Sequence, residues 1–268
     1  MSIHDRELGL FLRTLNERVD PTILLERVVQ GPPDDWQHRL MNSASDIIMV
    51  LASRRIGKST TVGVMAGQEL SKPDHQVIIL SKTLSQSQLL FKKIAHTWEQ
   101  MALPIEKTRQ TMTEMHLKNG SSVICVPAGQ DGEQARGYGV RDGLLIYDEA
   151  AFIPEKVFGS TMSIAEDNCR TILITTPGGK SGRAYDMWTD HELYPEVERI
   201  RACSLDIERM AKLVARQKKI LSKFEFDVEH GLAWMGRGRP FFDAETLRQA
   251  FTDEPELKLG NIMEGVSV

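Results

Sequence analysis

The stretch Leu51-Ala52-Ser53-Arg54-Arg55-Ile56-Gly57-Lys58-Ser59-Thr60 constrains the fold more than any other part of the chain. An apolar run, Ile47 to Leu51, leads into it, and a helix-compatible run, Thr60 to Leu70, leads out. Strand, glycine-bearing loop and helix in that order build a cradle for phosphate. The loop's N–H groups and the positive end of the helix both face the anion. In such a cradle Lys58 reaches the β- and γ-phosphates and the Ser59 hydroxyl ligates Mg²⁺. Ser53, Arg55, Ile56, Gly57 and Thr60 make up the rest of the binding loop. Two features depart from the common pattern: Ala52 stands at the usual first glycine, and Arg54 and Arg55 are bulky for such a loop. By itself the stretch also fits a basic surface turn that caps a helix.

A second stretch decides between these readings. Leu144-Leu145-Ile146-Tyr147-Asp148-Glu149-Ala150-Ala151 is an apolar run that delivers two adjacent carboxylates at its C-terminal end. Nucleotide hydrolysis needs both acids. Asp148 holds Mg²⁺ through its water shell, and Glu149 orients and deprotonates the attacking water. Together the two motifs predict an α/β P-loop NTPase of the RecA/ASCE-like branch. Its central sheet is mostly parallel and flanked by helices, and a small helical lid follows at the C-terminal side. The cofactors are ATP and Mg²⁺.

The chain has 268 residues and 41% apolar content, enough for one large α/β domain or a domain with a small appendage. A formal charge of −4 gives no global signature of nucleic-acid binding, so DNA contact has to come from a local basic strip or from a ring of subunits. Cys125, Cys169 and Cys203 show neither metal-ligand spacing nor a disulfide framework, which fits a reducing cytosol. No apolar run approaches membrane-spanning length, and residues 1–20 carry no signal-peptide pattern.

Asp5 to Val19 reads as an amphipathic helix with Leu8, Phe11, Leu12, Leu15 and Val19 on one face. Asp20-Pro21 starts a second helix that runs to Val29 and is ended by Gly31-Pro32-Pro33. Gln37, just upstream of the phosphate-loop strand, is either a reader of the adenine edge or an ordinary helix-surface residue. Val77 to Leu80 and Thr171 to Ile174 read as buried parallel strands, and Leu84 to Met101 reads as a helix. Thr113–Leu117 and Ser122–Val126 flank Lys118-Asn119-Gly120, a hairpin signal. Glu198 to Ala202 would be the last strand. The glycine-rich loop between Gly129 and Gly143 carries Arg136 and Arg141, either solvated or offered to a γ-phosphate. Thr175 and Thr176 either sense the γ-phosphate or form a plain turn. From Asp206 on, Ile207, Met210, Val214, Gln217, Leu221 and Phe224 mark one helical face. Arg209, Lys212, Arg216, Lys218, Lys219 and Lys223 cover much of the remainder, as a solvated face or a DNA-phosphate contact.

Between about Asp34 and Leu247 the sequence resembles the ATPase domain of a large terminase subunit, the DNA-packaging motor of tailed bacteriophages. The resemblance is carried, in order, by Ser53 to Ser59, Asn119-Gly120-Ser121-Ser122, Arg136-Gly137, Tyr147 to Pro154, Thr175-Thr176-Pro177, Tyr185-Asp186-Met187-Trp188 and Phe226-Asp227-Val228-Glu229-His230. It implies that Arg54 touches the phosphates in cis and that Arg136 is offered in trans to the next subunit, with Arg141 as its competitor. It implies that Thr175 and Thr176 couple γ-phosphate loss to movement of the lid. The implied partners are double-stranded DNA, the portal protein, the small terminase subunit and further copies of the chain in a ring, with a monomer allowed in isolation and no membrane. The implied location is the host cytoplasm, with transient residence on the procapsid portal.

The expected organisation is a helical segment over 1–33, an ATPase core over 34–203, a lid and linker over 204–259, and a tail over 260–268. Family members also carry a nuclease domain; the tail would be its first edge, so ATP hydrolysis without DNA cutting is expected from this chain. A two-lobed helicase would need a second RecA-like lobe, and fewer than 70 residues follow Arg201. A nucleotide-gated switch with little turnover would not need Glu149.

Overall fold

In the computed structural model of the chain, residues 20–127 and 137–236 are described. The Asp5–Val19 segment, Arg136, most of the loop around it, and the tail over 260–268 lie outside these residues. Helix α1, Pro21–Val29, begins where the Asp20 carboxylate accepts from Thr22 N at 2.9 Å, and Pro21 occupies its first turn. It ends at Gln30 in the left-handed region, before Gly31-Pro32-Pro33. Helix α2, Asp35–Asn42, starts with a capping box formed by Asp34 and Gln37.

The chain then alternates strand and helix: β1 Ile47–Ala52, α3 Lys58–Leu70, β2 Gln76–Ser81 and α4 Leu84–Met101. An antiparallel appendage follows, with β3 Lys107–Gln110, β4 Glu114–Leu117 and β5 Ser122–Pro127. The hairpin signal at Lys118-Asn119-Gly120 joins β4 to β5. The polar edge strand β3 carries no apolar alternation and gave no signal in the sequence. After it come β6 Val140–Asp148, α5 Glu155–Thr161, β7 Ala165–Thr175, α6 Arg183–Thr189 and β8 Val197–Ala202.

These strands make one eight-stranded sheet in the order β3-β4-β5-β2-β6-β7-β1-β8. From β5 to β8 every neighbouring pair is parallel. Parallel strands are covered by helices on both faces, which explains why the core strands read as unbroken apolar runs. Alternate residues serve different faces. Ile48, Val50, Ile146, Ile172 and Ile174 pack under α1 to α4 with Leu25, Val62, Phe91 and Trp98. Met49, Leu145, Tyr147 and Leu173 pack on the opposite side against Val157, Phe158 and Met187. Tyr147 is fully buried there, with its ring stacked on Phe158 at 5.1 Å and its hydroxyl 2.7 Å from Thr161 Oγ1.

The strand order positions the site. β6 is separated from β1 by β7, so the ends of β1, β7, β6 and β2 follow one another along the carboxyl edge of the sheet. Ligands of open α/β sheets bind at that edge.

Past β8 the single helical face expected from Asp206 onward is broken into pieces. A 3₁₀ turn at Glu208–Met210 leads into α7, Ala211–Gln217, and a separate helix α8, Lys223–Glu229, follows. The break has a local cause. The Ser222 hydroxyl accepts from Glu225 N, and the Glu225 carboxylate accepts from Ser222 N, so a new capping box restarts the helix. Ile207 and Met210 are buried as the pattern required, whereas Phe224 is 49% exposed.

Gly143 shows how tightly β6 is fitted against β2. Its φ is +145°, and a Cβ there would lie 1.9 Å from the Gln76 carbonyl oxygen. Replacing it with alanine combines a forbidden backbone with a backbone clash. Gly143→Ala should therefore lower stability by about 3 kcal/mol or more in urea unfolding. Gly137→Ala, where a Cβ meets nothing within 4 Å, should change it by less than about 0.5 kcal/mol.

Candidate nucleotide-binding and hydrolysis site

Between β1 and α3 the backbone turns through two left-handed residues, Arg55 at φ 63° and Gly57 at φ 101°. Gly57 is also the position where a Cβ would press on Gln37 Nε2 at 3.3 Å. No side chain caps the N-terminus of α3, so the first N–H groups of that helix remain available to an anion. Lys58 is the first residue of α3, and Ser59, the second, is exposed.

The two acids meet this cradle. Asp148 ends β6, and Glu149 follows in the left-handed region at φ 52°, which turns its side chain toward the phosphate loop. Lys58 Nζ donates to Glu149 Oε1 at 3.2 Å. The other carboxylate oxygen accepts from both the backbone N–H and the hydroxyl of Thr176, each at 3.0 Å. Thr175, fully buried, donates its hydroxyl to the Thr176 carbonyl at 2.7 Å and accepts from Ala151 N at 3.1 Å. The ends of β1, β6 and β7 are thus tied together through one carboxylate.

The acids are pushed apart electrostatically. Burial, with the adjacent Glu149 charge, raises the Asp148 pKa to about 6 against the pull of Lys58. Burial also works against ionised Glu149, but Lys58 and the Thr176 hydrogen bonds outweigh it and hold this carboxyl below its usual range. Glu149 is therefore ionised at neutral pH.

A cleft of about 480 Å³ opens on this edge, lined by Arg54, Arg55, Lys58, Glu149 and Thr176, together with Lys82 between β2 and α4 and Gln86 in the first turn of α4. A second cleft of about 470 Å³ lies on the other side of the loop, lined by Gly57, Thr60, Gln37, Asp34, Arg209 and the Gly31-Pro32-Pro33 turn. The first holds Lys58 beside Glu149, and the second holds Gln37 and Arg209.

The loop residues are not equivalent. Ile56 is buried in the core. The Ser53 hydroxyl points away from the clefts, donating to the His230 carbonyl at 3.2 Å and accepting from Ser204 N at 3.0 Å. Arg54 is 64% exposed and pairs with Glu229 of α8 at 3.2 Å. Gln37 is buried with both ends of its amide engaged: Oε1 accepts from Asp34 N at 2.9 Å, and Nε2 donates to Thr61 Oγ1 at 2.7 Å. Arg141 sits at the opposite end of β6 from Asp148, at roughly 3.3 Å per residue, and lies 3.7 Å from Glu166. Arg136 is outside the described residues.

Several contacts leave no mark in the linear sequence. Arg209 leaves the basic strip: its guanidinium donates to the Asp34 carboxylate and, at 2.7 Å, to the Ile56 carbonyl of the phosphate loop. His230 is buried between Ser204 Oγ at 2.7 Å and Gln217 Oε1 at 2.6 Å, and burial lowers its pKa. The Ser222–Glu225 spacing marks where α8 begins, but no local pattern places Glu229 beside the loop.

The donor set fits a magnesium nucleotide. Among the described residues no group of three or more His, Cys, Asp or Glu side chains is arranged for a metal. Mg²⁺ is held instead by one or two protein oxygens together with phosphates and waters, and Asp148 and Ser59 would provide those oxygens here.

The high Asp148 pKa has a sign that can be tested. An acid titrating near 6 when folded and near 3.8 when unfolded costs stability wherever both states are ionised, and costs nothing once both are protonated. Asp148→Asn should raise unfolding stability by about 1–3 kcal/mol at pH 7.5, and the gain should fade toward zero near pH 4 in paired denaturation curves.

Residues 49–219, more than half of the chain, match the family model described as RNA cytidine acetyltransferase NAT10/TcmA, helicase domain. No curated protein sequence matches the chain. Among solved structures, the ATPase domain of the Thermus phage P74-26 large terminase superposes with a TM-score of 0.64 at 20% identity, covering 78% of this chain and 97% of that one. The large terminase of a thermophilic bacteriophage, solved in complex with ATP-gamma-S, gives 0.63 at 12% identity, over 76% of this chain and 53% of that one. The HK97 bacteriophage large terminase gives 0.58 at 14%, over 77% and 54%. The chain spans about half the length of the last two proteins. The likeness to all three is one of fold. With its fold that of the large-terminase ATPase domains, the chain belongs to the NAT10/TcmA helicase-domain family.

Proposed function

We propose that the chain is a Mg²⁺-dependent ATPase acting as the motor domain of a large terminase, driving double-stranded DNA into a procapsid. The observation that carries the ATPase part is the Glu149 carboxylate held between Lys58 and Thr176. Lys58, Ser59 and the N–H groups at the start of α3 bind the phosphates. Mg²⁺, when bound, neutralises charge developing on them. A triphosphate competes with Glu149 for the Lys58 ammonium, which frees Glu149 Oε1 to accept a proton from water. Thr176 keeps the other oxygen fixed, so the base stays oriented while it changes partner. Arg54 exchanges Glu229 for the phosphates in the same event, which loosens α8 and links nucleotide occupancy to the lid. Thr175 and Thr176 carry the same signal along β7.

The terminase role draws on the fold likeness across nearly the whole Thermus phage ATPase domain and on the ordered motifs from Arg54 to Glu229. In that role copies of the chain form a ring, Arg136 reaches the neighbouring site, and the portal protein and small terminase subunit are partners. The family match favours a second reading, an ATPase domain of helicase type serving an RNA-modifying enzyme.

Glu149→Gln should keep ATP bound while steady-state hydrolysis falls by about 10²–10⁴-fold; unchanged turnover would remove Glu149 as the base. Turnover per subunit should rise with protein concentration and with duplex DNA, and Arg136→Ala should abolish the concentration dependence. Stimulation by RNA but not by duplex DNA would favour the second reading.

A further inference from the structure

Strand β2 ends at Ser81, whose side chain is fully buried and whose hydroxyl has no hydrogen-bond partner. A buried polar group left unpaired costs about 1–3 kcal/mol, so its position is informative. Ser81 is paired in register with Asp148 of β6. Alternation puts both side chains on the same face of the sheet. Ile79 and Ile146, two residues earlier in each strand, lie in the core under α3, whereas Leu80 and Tyr147 lie in the opposite core. Neighbouring strands run about 4.8 Å apart, yet no hydrogen bond joins this hydroxyl to this carboxyl. Gln86, which lines the catalytic cleft a few residues further on, also carries a buried and unpaired Oε1. Two oxygens near the carboxyl ends of β2 and β6, Ser81 Oγ and Gln86 Oε1, thus lack a donor.

A hydrated Mg²⁺ supplies donors. It dehydrates reluctantly and keeps several waters, each of which needs an acceptor. We propose that Ser81 is a positioning residue that accepts a hydrogen bond from a water of the Mg²⁺ held by Asp148 and so fixes where that shell sits. The assignment rests on the ATPase reading above. It explains why a hydroxyl stands where alanine would pack equally well and leave no group unpaired.

The test is calorimetric titration of the full chain with ADP, with and without Mg²⁺. Ser81→Ala should fold with an equal or higher melting temperature, because it removes an unpaired group. It should bind metal-free ADP as the parent does and lose about 10-fold of the tightening that Mg²⁺ confers. In an Asp148→Asn background the same change should have no further effect on Mg²⁺ dependence. Equal tightening in Ser81→Ala and the parent overturns the role of Ser81 and leaves the ATPase reading standing. So does a loss of the same size without metal, which marks a structural role. A parent that binds no Mg²⁺–ADP at all overturns the ATPase reading and this assignment together.

Discussion

The bridge from Lys58 through Glu149 to Thr176 holds three strand ends in one arrangement, and the geometry of the site depends on it. Lys58 is 12% and Glu149 28% exposed, so the pair is only partly solvated and its loss would leave an enclosed charge uncompensated. In the sheet β7 lies between β1 and β6. Glu149, turned by a left-handed backbone, reaches from the end of β6 to Lys58 and to Thr176 just past β7.

The region after β8 embraces the phosphate loop from more than one direction. Arg209 reaches the Ile56 carbonyl, Glu229 reaches Arg54, and the Ser53 hydroxyl reaches the His230 carbonyl. The loop is thus held to the segment after β8 by a guanidinium, an ion pair and a hydroxyl.

Much of the fold was legible. The apolar runs at Ile47, Val77, Leu144 and Thr171 mark strands because both sheet faces are covered, and Asp20-Pro21 and Leu84–Met101 bound helices with the observed ends. The segment after β8 was legible only in part. Its apolar spacing runs through Ser222 without a break, although the local competition of the Ser222–Glu225 capping box ends the helix there. Strand β3 could not be read, because Lys107 to Gln110 lies at the sheet's edge and buries too little to leave a pattern.

The chain's linear pattern supplies the chemical groups: an ammonium and a hydroxyl after a glycine, and two acids after an apolar strand. Those choices are local, and spacing along the chain exposes them. Tertiary structure decided the partnerships. Gln37 is turned inward to Asp34 and Thr61, and Ser53 toward His230. Arg209 is drawn out of a basic strip onto the phosphate loop, and Ser81 is set beside Asp148. Apart from the local Asp34–Gln37 capping box, each of these contacts joins residues that are distant in sequence or placed together only by strand register. Their energies come from burial and strand order, which no stretch of the chain contains alone.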